Sequence, residues 1–384
     1  MTLKKNIGYL VLLLGVFFLV ACGEQGTTVS TDTNSEENRQ EVSEKEIANQ
    51  QVDLVNEDIE EEYIVAVANE REETLSIIYF PEERQEKIQL EGQAHNLEIN
   101  KESQLLWVTI NPPHRHGEDA GHSHSHDSDG NEEHGHDEHK EEKVVAYDLQ
   151  SLEKVEEYSV GSHPAHVTVT ENGQTVVVTN SGDNTVSIID RGVGELVNVE
   201  VGEYPHGVRI SPDQQYAYIA NMQSENVSVV DLHSNVEVKR VHVGAGAVQT
   251  GFSHDGKYAF VGLHGDDQLA VIDTSSQELI NKIDVGKGPV QMYASYDHRY
   301  VIVANQGSEE YPSDTISIIN LDLLQVEKEL PLGLGAHGIV ISKDSRYAFV
   351  TNMFEDTISV VDLETLEEIN RIDVGSYPNG ISVN

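Results

Sequence analysis

One cysteine in 384 residues, Cys22, leaves no room for a disulfide framework, a Cys-x-x-Cys redox pair or a Cys-x-x-Cys-His haem attachment. Bases are scarce as well. The chain has 24 Lys and Arg against 67 Asp and Glu, a formal net charge of −43, which opposes nucleic acid and anionic lipid surfaces as partners and favours cations. The same excess of acid also serves solubility in salty or alkaline surroundings. No apolar run is long enough for a comfortable membrane span; the longest, Ile7 to Val20, follows Lys4 and Lys5 and stops abruptly.

That run ends in Leu19-Val20-Ala21-Cys22, which resembles a bacterial lipobox. The expectation is a lipoprotein signal peptide over 1–21, diacylation of Cys22, and an extracytoplasmic protein anchored to the cell membrane. Two acyl chains suffice for stable anchoring. An ordinary signal peptide with an incidental cysteine is the alternative. Residues 22–62 are rich in Glu, Asp, Asn, Gln, Ser and Thr, with no aromatic before Tyr63, and read as a disordered acidic tether.

Beyond the tether the chain repeats itself. Tyr216-Ala-Tyr-Ile-Ala-Asn221, Tyr258-Ala-Phe-Val261, Tyr300-Val-Ile-Val-Ala-Asn305 and Tyr347-Ala-Phe-Val-Thr-Asn352 are one element, spaced 42, 42 and 47 residues apart. Earlier copies run from Tyr63 to Asn69, Leu105 to Asn111 and Thr175 to Asn180. Each is followed by a strand such as Thr185 to Asp190, a strand ending in Val-Gly (Val201-Gly202, Val374-Gly375), and a fourth entering a turn. β-branched alternation marks strands; Gly, Pro, Asp and Asn mark turns. Four strands per repeat and seven repeats predict an all-β, seven-bladed propeller over 63–384. With strands named a to d outward from the axis, the chain enters at b (Tyr63) and leaves at a (Gly380 to Asn384), so the last strand should complete the first blade and close the ring. Asp and Asn at strand ends read as turn caps.

These motifs resemble the YVTN repeat of YncE-like propellers, closely from the third repeat onward. The resemblance implies the fold; the family hosts many roles, so it implies no single activity.

The repeat is broken once, by an insert over 112–142 in the b–c loop of blade two. It carries His114, His116, His122, His124, His126, His134, His136 and His139, eight of the chain's 18 histidines, interleaved with Asp and Glu. Neutral imidazole suits Zn²⁺, Cu²⁺ and Ni²⁺, and carboxylates complete the shell. The tract is similar to the His-rich loops of secreted zinc-uptake proteins. In a four-stranded meander the d–a and b–c connections share one face, so His95, His163, His166, His206, His264 and His337 should lie on the insert's face. His95, His206 and His337 occupy equivalent positions at the start of strand a, filled elsewhere by Ala165, Val248, Val290 and Asn379; His166 is one residue further along. Turn histidines capping the backbone are the alternative.

The functional expectation is a non-enzymatic metal-binding propeller, a zinc carrier or metallochaperone, with a metal-uptake binding protein as partner. Zinc-metallochaperone propellers of bacterial envelopes (AztD-like) have a similar general make-up. Two alternatives stay open: a surface scaffold binding protein or polysaccharide, and a metal-assisted hydrolase in which an open metal position activates water. No nucleophile with an oriented base appears in the pattern. Replacing Cys22 with Ala should release the protein from membranes or leave it unprocessed; fractionation checks this, and membrane retention of a processed mutant contradicts the lipobox.

Overall fold

The computed structural model describes residues 62–112 and 142–384. Cys22, the tether and all eight histidines of the insert lie outside the described residues. Within them the chain forms seven four-stranded antiparallel sheets, each built from neighbouring strands in chain order, apart from the first. There the final strand, Pro378–Val383, pairs with Tyr63–Asn69 as strand a of blade one, with Val65 opposite Val383 and Val67 opposite Ile381. Ile64 N–H donates to Asn384 Oδ1 at 3.0 Å. The a strands touch one another around the ring: Gln93–Asn100, Pro164–Val169, Pro205–Ile210, Ala247–Phe252, Pro289–Ala294, Ala336–Ile341 and Pro378–Val383.

Burial follows radius. The b strands are almost wholly buried, as in Tyr347–Asn352, because sheets cover both their faces. The outermost strands alternate; Glu367–Asp373 buries fully only Ile372. The cores lie between blades. Leu75 and Ile77 of blade one pack with Leu97, Leu106 and Val108 of blade two, and the same face-to-face stacking recurs around the ring.

The asparagine at or near the end of most b strands does more than cap a turn, and here the structure corrects the sequence reading. Asn352 Nδ2 donates to Thr357 Oγ1 and Ser359 Oγ, both at 2.9 Å, and Asn69, Asn180 and Asn305 repeat this fork to the neighbouring strand. These side chains are buried, so each fork satisfies donors that would otherwise be costly. The Val-Gly motif is its complement. A Cβ on Gly375 would lie 2.5 Å from Asn69 Cγ, and Gly375 N–H donates to Asn69 Oδ1 at 3.1 Å. The strand-end aspartates do cap turns: Asp362 Oδ1 accepts the N–H of Glu364 and of Thr365 at 2.9 Å.

The last strand holds the first blade and abuts blades two and seven. Deleting Gly380 to Asn384 should destabilise the whole ring by at least about 3 kcal/mol, since removing a buried side chain such as Ile381 alone costs about 2–5 kcal/mol. A melting curve like that of the full chain would contradict closure by this strand.

Candidate metal centre at one mouth of the channel

Every a strand loses its regular pairing at the same place. Pro205 pairs with Asn221 and Val208 with Ile219, while His206 and Gly207 between them have no partner; the same shift occurs at Ala94/Leu97, Pro164/Val167 and Ala336/Ile339. In a regular strand successive side chains face opposite ways, and an irregularity of this kind re-aims them. His206, second in its strand, and His166, third in its own, thereby come within 4.8 Å between ring centroids.

Blade-to-blade hydrogen bonds hold the displaced residues. Thr179, from the Val-Thr-Asn segment of blade three, accepts the N–H of His166 at 2.9 Å and donates to His206 O at 2.6 Å. Thr109 does the same between Asn96 N–H and Ala165 O. The repeat's threonine therefore positions two of the histidines, a role its place in the motif does not announce.

One ring nitrogen each from His95, His166 and His206 lies within 4.8 Å of the other two. His206 Nδ1 faces Val248 O at 3.1 Å, and a carbonyl only accepts, so Nδ1 carries the proton and Nε2 keeps its lone pair. His95 Nδ1 lies between the Glu70 carboxylate at 3.4 Å and the Asn379 Nδ2 amide at 3.2 Å; in the tautomer with its proton on Nδ1, directed at Glu70, its Nε2 is free as well. The two Nε2 atoms are 3.1 Å apart. Lone pairs at that distance repel unless a proton or cation lies between them. Two nitrogens held tetrahedrally at about 2.0–2.1 Å from zinc are about 3.3 Å apart. His166 is buried with no partner for Nε2, while Gln249 Nε2 donates to its Nδ1 at 3.1 Å. Metal at His166 Nε2 requires the Gln249 amide to turn, so that its oxygen accepts from Nδ1.

Glu70 was not foreseen. It opens a short 3-10 turn, Glu70–Glu72, in the b–c loop of blade one, and its Oε2 accepts from Asn379 Nδ2 at 2.9 Å. A carboxylate on the far nitrogen of a ligating imidazole fixes its tautomer and raises its basicity. The only available signal was Glu70's place after Asn69, on the face that carries the other loops.

The remaining candidates are not part of this three-histidine group. His337 is buried near His95 and Glu70, its Nδ1 without a partner, but it falls outside the three-histidine group. His264 Nε2 donates to Gly307 O at 3.1 Å. His163 takes a left-handed backbone, φ 51°, where blades five, six and seven have Gly246, Gly288 and Gly335; its ring is largely exposed, 3.1 Å from Ser162 Oγ. Asn111 and Lys143, which flank the insert, belong to the same side of the ring: Asn111 Nδ2 donates to Pro164 O at the start of the next a strand.

Burial, reinforced by the charge of His95, pushes His206 down to about 3 and His337 down to about 4, and burial with its histidine neighbours holds His166 well below the usual imidazole range. Burial alone would raise the Glu70 carboxyl; hydrogen bonds from His95 and Asn379 and the charge of His95 outweigh it and pull it down to about 2.

The chain is thus a seven-bladed β-propeller with a convergent histidine cluster at one mouth of its channel. Residues 209–383 match the family model of YNCE-like beta-propellers, and residues 143–242 match that of the seven-bladed beta-propeller lactonases. No curated protein matches the chain. Among solved structures it is similar to a functionally unknown protein from Desulfotomaculum acetoxidans DSM 771, at 14% identity and TM-score 0.67, over 83% of this chain and 98% of that one. It is also similar to Kuenenia stuttgartiensis hydrazine synthase, at 17% identity and TM-score 0.59, over 75% and 89%. A third relative in shape is the dihydro-heme d1 dehydrogenase NirN, at 16% identity and TM-score 0.56, over 83% and 74%. At these identities the likeness is one of fold.

All four depressed groups take up protons more readily in the unfolded chain than in the native one. Their stabilisation is complete above about pH 6.5, the ordinary imidazole value, and is lost as pH falls towards about 3. The urea midpoint of metal-free protein should therefore drop between about pH 6.5 and 4. His206→Gln, which removes one of these titrations, should flatten that drop; an unchanged slope contradicts the assignment.

Proposed function

We propose that this protein is a lipid-anchored, extracytoplasmic metal-binding propeller that carries zinc, in which the His-rich insert captures ions and the channel-mouth histidines hold one tightly. The observation that carries the reading is the convergence of His95 and His206, whose Nε2 atoms lie 3.1 Å apart with His166 beside them. Three imidazole ligands suit Zn²⁺, with Cu²⁺ and Ni²⁺ as competitors ordered by affinity. A fourth position stays open for water, for His337 after a side-chain turn, or for a ligand from a metal-uptake protein that receives the ion. The cell membrane is engaged through the lipid on Cys22, and the acid excess argues against nucleic acid.

The metal content of protein purified without a His-tag or a nickel column tests the reading first. Deleting 114–139 should remove several weakly held ions and leave one tight one. In the deleted protein His206→Ala should weaken zinc at least tenfold, about 1.4 kcal/mol, with an unchanged melting curve in the absence of metal. Zinc binding like the parent's after single replacement of His95, His166 and His206 in turn contradicts the structured site and favours an interaction scaffold.

A further inference from the structure

The channel's other mouth holds a second set of polar groups that the histidine cluster does not use. A cavity of about 480 Å³ opens there, lined by residues from the a strands of all seven blades and the turns that follow them. In a chain with 24 bases and 67 acids, the side chains that line it include three bases, Lys101, Arg209 and Lys343, against two acids, Glu98 and Glu171. The local balance is the reverse of the global one.

Arg209 is the central group. Its side chain is 19% exposed, so it is largely desolvated, yet it is not locked to a carboxylate. Arg191, Arg240 and Arg371 each present two nitrogens to both oxygens of one glutamate. Arg209 instead lies 3.7 Å from Glu98 Oε2, beyond a hydrogen bond, and donates only to Val208 O at 3.2 Å. Glu98 commits its other oxygen elsewhere: Oε1 accepts Val169 N–H at 2.9 Å and Thr168 Oγ1–H at 3.2 Å. Burial pushes the Glu98 carboxyl up despite Arg209, which weakens it as a competitor for the guanidinium. A half-buried guanidinium fork with free donors in a concave site suits bidentate capture of a carboxylate or phosphate.

The wall formed by the next two blades around the ring is aromatic. His254 stacks on Tyr296 with ring centroids 3.8 Å apart and planes within 16°, and its Nε2 donates to Ala294 O at 3.0 Å, which fixes the ring. Tyr293 and Tyr296 join through their hydroxyls at 3.2 Å. Phe252 and Met292 add apolar surface. A few directional polar groups set in an apolar wall are the make-up of a small-molecule site.

We propose that this cavity is a second ligand site, on the face opposite the histidines, for a small organic anion carrying a planar ring. Arg209 takes the anionic group, Lys101 and Lys343 draw it in, and the ring lies against Tyr293, Tyr296 and His254. The site is independent of the metal reading.

Calorimetric titration of the full chain with benzoate, phenyl phosphate, acetate and benzylamine tests it. Benzoate or phenyl phosphate should bind, acetate at least tenfold more weakly for want of a ring, and benzylamine not at all. Arg209→Gln should cost the anion at least tenfold. Should Arg209→Gln melt early because Glu98 is left alone, Arg209→Lys, which keeps the charge but loses the fork, and Tyr296→Leu should each still weaken binding several-fold. Absence of binding by both aromatic anions, preference for benzylamine, or anion affinity indifferent to the Arg209 and Tyr296 substitutions overturns the proposal.

Discussion

The break in pairing near the start of every innermost strand is the feature on which the site depends. Between Pro205 and Val208, and at the matching place in the other blades, two residues leave the ladder beside the axis. The ring gives up backbone pairing there and recovers part of it through side chains: Thr179 and Thr109 bridge the freed N–H of one blade to a carbonyl of the next. The cost of an unpaired buried N–H is thereby avoided, and adjacent blades are tied together at the radius where they are closest. The histidines occupy positions freed for this structural reason.

Electrostatics at that mouth run against what imidazole prefers in water. Burial and their histidine neighbours hold His166 and His206 well below the usual imidazole range, so these two rings keep the neutral, lone-pair-bearing form that a metal needs. Glu70 supplies a compensating charge at the far side of His95 rather than within the cluster. The same axis carries Arg209 and Glu98 towards its other end, where the bases outnumber the acids. One channel therefore presents a mouth rich in imidazole nitrogen and a mouth whose lining side chains include more bases than acids, separated by the length of an a strand.

Ring closure links these features to the chain ends. Asn379, on the last strand, donates to Glu70 from the first blade's b–c loop, and Glu70 faces His95 on the second. A carboxylate, an amide and an imidazole from distant parts of the sequence meet only because Pro378–Val383 pairs with Tyr63–Asn69. The joint that removes a free edge also orients one candidate ligand.

The fold was legible in the sequence because its signals are local. Strand alternation, the Asp-capped turns and the 42-residue period each lie within a few dozen residues, and Tyr63 entering at strand b already implied closure by the last strand. The face shared by the histidines followed from counting connections. What the chain order could not convey was rank within the cluster. His337 and His206 stand at equivalent positions, yet His166, one residue out of step, is the ring beside His206, because the break in pairing moves both a second and a third residue to the axis. His163 takes the left-handed turn position and leaves its ring exposed. Glu70 and the fork of Arg209 carry no motif of their own, and the motif that holds Thr179 does not announce its role. Their roles depend on distances between blades, which only the closed ring sets.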